Sequence, residues 1–136
     1  MGEKGNKENK RGWKSWDYAW GPCREKGGEL ATHFTRLDLE YLFLKVIPSG
    51  KDFDNVWVGG SIEWNYAKNW EWLNKDVISA NDRLWRAGSP RWNGGPPNCL
   101  YISRDISPDK TIDGTEGPAY VKSNCNIRLP YLCEIK

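Results

Sequence analysis

The number and spacing of the cysteines limit what chemistry they can perform. The chain has four: Cys23, Cys99, Cys125 and Cys133. They include no Cys-x-x-Cys pair, and the single histidine, His33, cannot complete a common zinc set. Disulfide bonds are therefore predicted, although four cysteines allow three pairings and the sequence alone does not choose between them. Disulfides form in oxidising compartments, which predicts a secreted protein or the ectodomain of a surface protein.

Carboxylates are the next candidates, because two of them at the right separation can hydrolyse a glycosidic bond. Glu63, Glu71 and Asp76 lie in the middle of the chain, but nothing in the sequence places two of them at that separation. The chain also has no Gly-x-Ser-x-Gly motif, phosphate-binding loop or zinc-protease helix motif. We therefore predict a binding protein rather than an enzyme, with no catalytic residues.

A third chemical signature is an indole beside a cation in a stretch that is rich in proline and glycine. Arg91, Trp92 and Asn93 lie within residues 74–98, which show no clear helix or strand pattern. A loop of this length inside a compact domain is usually functional or disordered. An exposed trio of this kind would suit a sugar or a protein partner, since Trp and Arg are enriched at interface hot spots. The alternative is that Trp92 packs beneath its own loop as core.

The composition sets the size and class of the molecule that must position these groups. The 136 residues suffice for one domain with a core, and they carry 20 Lys and Arg against 18 Asp and Glu. A net charge of +2 lacks the cationic excess of a nucleic-acid-binding protein, and no apolar stretch is long enough for membrane insertion. Residues 1–12 are polar and charged, so we predict a disordered N-terminal tail followed by one domain over residues 13–136.

Two helices are predicted in the first part of the domain. Apolar residues recur at spacings of three and four after Ser15, a suitable N-cap, and the glycine pair at 27–28 provides a stop. A second helix is predicted over residues 35–45, because Thr35 and Asp38 have the spacing of a capping box. Its expected buried stripe consists of Leu37, Tyr41 and Leu44.

Beyond residue 54 the pattern changes to short β-branched and aromatic runs bounded by Gly, Pro, Asn and Asp, which is typical of strands. The predicted strands cover residues 56–60, 70–73, 99–103, 119–122 and 131–135. Helices first and strands afterwards indicate an α+β domain.

Several segments together resemble C-type lectin-like domains. They are residues 14–31 around the first helix, Trp-Val-Gly-Gly at 57–60, Trp-Glu-Trp at 70–72, Trp85 with Gly88 and Pro90, and the cysteine-bearing segments at 98–102 and 125–134. The resemblance covers residues 13–135 and all four cysteines. It implies a C-type lectin-like fold, in which two helices pack on small antiparallel sheets with a long loop region. It also implies the pairings Cys23–Cys133 and Cys99–Cys125, and a core that contains Trp16, Trp57, Trp70, Trp72 and Trp85.

The chain departs from sugar-binding members of this family at the positions that would hold calcium. In those members a Glu-Pro-Asn or Gln-Pro-Asp motif in the long loop and a Trp-Asn-Asp motif in a later strand bind a calcium ion, which in turn binds two sugar hydroxyls. Here residues 89–91 read Ser-Pro-Arg and residues 120–122 read Tyr-Val-Lys. Calcium takes about six to eight oxygen ligands, several of them charged, so two cations in these places predict that the site is absent.

The residues predicted to contact a ligand are Arg91, Trp92 and Asn93 in the loop, with Tyr120 and Lys122 on the later strand. With the family's geometry they form one cationic patch suited to sulfated, sialylated or phosphorylated glycans; the alternative is a solvated positive edge. The predicted function is an extracellular recognition module that binds a glycan without the usual calcium site. The alternative is a protein-binding module of a larger secreted or cell-surface protein, with no sugar binding.

Three lesser expectations complete the prediction. No cofactor is expected, although Asn74, Asp76, Asn81 and Asp82 could hold an auxiliary calcium ion; turn formation explains these residues equally well. His33 has no obvious acidic companion and is expected to be a structural or surface residue. The strand that usually precedes the first helix in this family is too polar here to be convincing, so it is either short or missing.

Overall fold

Two helices precede a set of short strands along the chain. Helix α1 spans Trp16–Glu25, strand β1 spans Gly28–Leu30, and helix α2 spans Arg36–Tyr41 and continues as a π-helical turn over Leu42–Val46. The later strands are β2 (Asn55–Ser61), β3 (Glu71–Trp72), β4 (Asn98–Ile106), β5 (Gly117–Asn124) and β6 (Cys133–Ile135). The computed structural model describes residues 14–48, 53–62, 69–79, 81–86, 98–106 and 117–135. In these segments no helix has the length and apolar character needed to cross a membrane.

Helix α1 forms as its apolar spacing predicts. Trp16, Ala19 and Cys23 lie on its buried face, and the carbonyl of Ser15 accepts the first helical bond from the N–H of Ala19 at 3.1 Å. Gly27 ends the helix with a left-handed backbone, φ +82°, which a glycine adopts without steric cost. The predicted start and stop of this helix are confirmed.

Helix α2 begins where it was predicted but buries the opposite face. The capping box is present, since Thr35 Oγ1 accepts from the N–H of Asp38 at 3.1 Å and Asp38 Oδ2 accepts from the N–H of Thr35 at 2.8 Å. The expected buried stripe is wrong: the exposed fractions of Leu37, Tyr41 and Leu44 are 75%, 59% and 76%. The buried residues are Leu39, Leu42 and Phe43. Both sets have helical spacing, so periodicity could not choose between them, and tertiary packing decides the face.

The strands form two antiparallel sheets. Four strands make one sheet in the order β3-β2-β4-β5, and β1 pairs with β6 in a two-stranded sheet. Strand β1 was not predicted, because it has only three residues and its first, Gly28, belongs to the glycine pair assigned to the helix stop. Its first residue is Gly28, where a Cβ would collide with the carbonyl oxygen of Glu134 on β6. The last strand begins at Cys133 rather than at residue 131, because Tyr131 instead forms an isolated bridge with Trp57.

Lys14, the first described residue, forms an isolated bridge with Leu129. Lys14 and Leu129 exchange two backbone hydrogen bonds, of 3.1 and 3.0 Å. The rest of the segment in which a strand before α1 was considered lies before Lys14, outside the described residues. The predicted disordered tail, residues 1–12, lies outside the described residues.

Two disulfides cross-link the domain. Cys23–Cys133 links α1 to β6, and Cys99–Cys125 links β4 to the residue that follows β5. Both pairings are those that the family resemblance implied. The core is aromatic, as expected, and contains the five tryptophans assigned to it: Trp16, Trp57, Trp70, Trp72 and Trp85.

Candidate functional site

The predicted site is framed by strand β5 and by the segment that leads into the long loop. Leu84 accepts a hydrogen bond from the N–H of Tyr120 at 2.7 Å, and Tyr120 accepts one from the N–H of Arg86 at 2.9 Å. At the other end of the loop, Asn98 is paired with Asn124 in the sheet. Both described flanks of the loop are therefore fixed against the same strand. Arg91, Trp92 and Asn93 lie between these flanks, outside the described residues.

Tyr120 is a core residue and not a surface contact. Its side chain is 1% exposed, and its ring makes edge contacts with Trp72 and Trp85 at centroid distances of 5.8 and 5.5 Å. The hydroxyl donates to the carbonyl of Phe34 at 3.4 Å, and burial raises the pKa of the Tyr120 phenol well above its usual range. The prediction that Tyr120 contacts a ligand is therefore corrected. The motif position that suggested it is occupied here by an aromatic that packs the sheet.

The next two residues of β5 decide what this strand offers to a ligand. Val121 is buried with Ala119 in a small apolar cluster, against which Tyr101 packs. Lys122 is half-buried and lies opposite Leu100 in the sheet. In sugar-binding relatives these two positions supply an amide and a carboxylate to calcium. A valine and a lysine side chain have no oxygen donor, so these β5 side chains do not fit a calcium ion.

A second cationic residue, Arg86, lies on the segment that leads into the long loop. Arg86 is half-buried, and its backbone N–H donates to the carbonyl of Tyr120. Tyr120 is two residues before Lys122 on β5. Its charge also acts on Tyr101: burial raises the pKa of the Tyr101 phenol, and the positive charge of Arg86 partly opposes that rise. The described part of the site therefore contains two cationic residues, Arg86 on the segment that leads into the loop and Lys122 on β5.

His33 has an acidic partner that the sequence did not suggest. Its Nε2 lies 2.8 Å from Asp76 Oδ2, and its Nδ1 lies 2.8 Å from Thr32 Oγ1. The backbone of His33 is left-handed, φ 61°, and its ring lies 5.4 Å from that of Trp72. The expectation that His33 lacks an acidic companion is wrong. The two residues are 43 positions apart, so no local spacing could have indicated the contact.

The hydroxyl of Thr32, the imidazole of His33 and the carboxylate of Asp76 are connected in the same order as the groups of a catalytic triad. Their surroundings differ from those of a triad. His33 and Asp76 are 46% and 62% exposed, whereas triad charges act in a site from which water is excluded. The amide of Asn74 and, secondly, His33 donate to Asp76 and lower the pKa of its carboxyl. The network therefore orders the 74–76 turn, and it gives no support for a nucleophile.

The residues considered for an auxiliary calcium ion are engaged in turns. The Oδ1 of Asn74 accepts from the N–H of Asp76 at 3.0 Å, and Asp82 Oδ1 accepts from the N–H of Leu84 at 2.9 Å. The N–H of Asn81 donates to Ser79 Oγ at 3.0 Å. Within the described segments, no group of three or more His, Cys, Asp or Glu residues is placed to hold a metal ion. Local turn formation accounts for these side chains.

Comparison with known proteins identifies the family. The model of the Lectin C-type domain family matches residues 13–135. A similar solved structure is the C-type lectin domain of murine dendritic cell inhibitory receptor 2 in complex with N-glycan: it is 14% identical, has a TM-score of 0.66, and the match covers 91% of this chain and 84% of that chain. CEL-IV is 18% identical, with a TM-score of 0.59 and coverage of 91% and 82%. The structural likenesses show the fold, and the match to the family model shows that the chain belongs to the C-type lectin domain family.

Proposed function

We propose that the chain is a recognition domain that binds glycans, with a preference for anionic ones, without the calcium site usual in sugar-binding members of its family. The observation that carries this proposal is the side-chain set on β5. Val121 is locked into an apolar cluster and Lys122 places an ammonium group where a carboxylate would have to bind the ion. A ligand that binds beside this strand would therefore accept hydrogen bonds from cationic side chains, instead of coordinating a calcium ion held by the protein.

Chain connectivity supports a shared surface between Lys122 and the loop. Arg91 is five residues beyond Arg86, and Asn93 is five residues before Asn98. An extended chain spans at most about 3.6 Å per residue, so each of these loop residues is tethered within about 18 Å of Arg86 or Asn98, both of which pair with β5. Loop and strand can then contribute to one binding surface.

The chemistry available to such a surface is stacking and charge-assisted hydrogen bonding. An indole stacks on the apolar face of a sugar ring, and Arg91 and Lys122 would donate to sulfate, carboxylate or phosphate groups. A structural relative, the lectin domain of murine dendritic cell inhibitory receptor 2, was solved in complex with N-glycan. That complex supports a glycan as the ligand class for this scaffold.

An extracellular setting is part of the same proposal. The two disulfides each close a long stretch of chain, with separations of 110 and 26 residues. Bonds of this kind persist in secreted proteins and ectodomains, and they are rare where thiols are kept reduced.

A protein ligand is the second candidate. The substitution of calcium ligands removes the ordinary means of binding sugar hydroxyls, while Trp and Arg side by side are typical of protein interface hot spots. In this case the loop would act as a protein interface, and no glycan would bind.

The test of the proposal is a glycan array that carries neutral, sulfated and sialylated glycans, probed with the intact chain and two charge-reversal variants. Lys122→Glu should reduce the signal on anionic glycans at least about tenfold, because one charge-assisted contact is lost and a repulsion replaces it. Lys45→Glu changes the net charge equally at an exposed position on the π-helical turn and should leave the signal within about twofold. Equal losses in both variants would show non-specific charge attraction, and no glycan signal from the folded chain would favour the protein ligand.

A tryptophan pair separates binding from folding. Trp92→Ala should abolish ligand binding with little change in thermal midpoint. Trp85→Ala removes a fully buried ring and should cost about 3 to 5 kcal/mol of stability. A loss of that size in Trp92→Ala would show that Trp92 is core and would remove it from the site.

A further inference from the structure

The helical segment after Thr35 is apolar on two opposite faces. One face carries Leu39, Leu42 and Phe43 into the core; the other carries the α2 stripe, which we define as Leu37, Tyr41 and Leu44 and which is 59% to 76% exposed. Single exposed apolar residues are normal at a protein surface, but three on one helix face form a contiguous apolar stripe, which is typical of an interaction surface. The α2 stripe is therefore an unpartnered face of the described chain.

A pocket opens beside this stripe. Its volume is about 250 Å³, and it is lined by residues of the 32–34 segment, by Asp38 and Tyr41 of α2, and by Glu134 of β6. Tyr41 belongs to both the pocket and the α2 stripe, so the two form one continuous surface. Small-molecule sites usually measure about 300 to 1,000 Å³, which makes this pocket the size for one side chain rather than for a whole ligand.

The pocket is acidic. Its lining contains two carboxylates, Asp38 and Glu134, and no lysine or arginine of the described chain; the one basic side chain in the lining is His33, whose Nε2 is bonded to Asp76 outside the pocket. The backbone N–H groups of Thr35 and Thr32 donate to them at 2.8 and 3.3 Å, which orients them, and a carboxylate can accept about four hydrogen bonds in all. Glu29 lies directly opposite Glu134 across the β1–β6 pair. Like charges in that relation repel, so a cation bound here would relieve the repulsion.

We propose that the α2 stripe and the acidic pocket together form a docking surface for a peptide segment of another protein. An arginine of the partner enters the pocket, and apolar side chains on either side of it cover Leu37 and Leu44. Charge complementarity selects this occupant: a guanidinium pairs with carboxylates through its planar fork and stacks on an aromatic ring such as that of Tyr41, which an ammonium does less well. This surface uses none of the residues proposed above to bind a glycan.

The test begins with a random peptide library displayed on phage and panned against the intact chain. The selected peptides should converge on an arginine flanked by leucine, isoleucine or phenylalanine. A synthetic copy of the best sequence, titrated by fluorescence polarisation, should bind Asp38→Asn and Glu134→Gln at least about tenfold more weakly. Both variants keep an oxygen that can accept the backbone N–H. The control is Glu40→Gln, an exposed carboxylate of α2 outside the pocket lining, which should bind within about twofold.

The apolar half of the surface has its own matched pair. Tyr41→Ser should weaken the same peptide at least about tenfold, whereas Tyr18→Ser, at a 76% exposed position on α1, should change its affinity by less than about twofold. Thermal midpoints identify any variant that fails to fold, and Glu134→Gln decides the result if Asp38→Asn weakens the capping box. Peptides without a basic residue, equal binding to the pocket variants and the Glu40→Gln control, or a concentration-dependent dimer that Leu44→Lys dissolves would each overturn the proposal.

Discussion

Arg104 ties strand β4 to the end of the second helical segment, and its removal should be among the costliest single changes outside the aromatic core. Its side chain is 16% exposed. Its Nε donates to Asp54 Oδ1 at 3.1 Å, and its terminal nitrogens donate to the carbonyls of Phe43 and Pro48 at 2.9 and 2.6 Å. The carbonyl of Phe43 would ordinarily accept from the backbone N–H four or five residues later. The N–H of Ile47 donates instead to the carbonyl of Leu42, and Pro48 has no N–H, so the guanidinium supplies the donor to the Phe43 carbonyl.

The magnitude follows from these bonds. A hydrogen bond to a charged group contributes about 1.5 to 3 kcal/mol, and bonds that share one side chain are not additive. We therefore expect Arg104→Met, which keeps part of the apolar stem but removes the guanidinium that lies over the Phe43 ring, to lower the free energy of unfolding by about 3 kcal/mol. Arg104→Lys should lose about half as much, because an ammonium cannot donate to several carbonyls in fork geometry.

Urea denaturation followed by tryptophan fluorescence, with disulfides intact, measures both losses. Arg83→Met is the matched control: Arg83 is exposed, and removal of a surface charge usually changes stability by less than about 0.5 kcal/mol. A loss below about 1 kcal/mol in Arg104→Met, or equal losses in the two arginine variants, would refute the reasoning that this guanidinium satisfies buried carbonyls.

Two further predictions concern a glycine and a carboxylate. Gly28→Ala should destabilise the domain by about 2 kcal/mol or more, since the added Cβ meets the carbonyl of Glu134; thermal unfolding of the variant checks the sign and the size. Asp76 should titrate by NMR below its ordinary pKa of 3.8, and Asn74→Ala should move that pKa back up. Because the pKa of Asp76 is lower in the folded state, its contribution to stability is present above the unfolded pKa and is lost as pH falls through the folded pKa. Asp76→Asn should therefore reduce the fall of stability at acidic pH.

The parts of the fold that local chemistry dictates were predictable from the sequence. Thr35 begins the second helix through its capping box, Ser15 occupies the N-cap position of the first, and Gly27 ends the first because it tolerates a left-handed backbone. These features involve residues within a few positions of one another. They do not depend on how the chain packs.

Features that depend on packing could not be predicted in the same way. The face that α2 buries is fixed by docking against β5 and the core, and two equally spaced apolar sets were available to it. The three residues of β1 form a strand because β6 lies alongside them. His33 and Asp76 meet only after the chain has folded, since β2 lies between them in the sequence.

The candidate site shows the same division. The sequence correctly indicates that Val121 and Lys122 supply no oxygen ligands from their side chains. It does not indicate that Tyr120, on the same strand, turns its ring into the core between Trp72 and Trp85. A motif position therefore predicts chemistry better than it predicts exposure, because exposure depends on the neighbours that the fold supplies.

The central claim, glycan recognition without the usual calcium site, is tested most directly by one measurement. The intact chain is applied to an array of neutral and anionic glycans, once with calcium and once with a chelator. We predict binding to sulfated or sialylated glycans at the same strength in both conditions. Binding to mannose or galactose that appears only with calcium would contradict it.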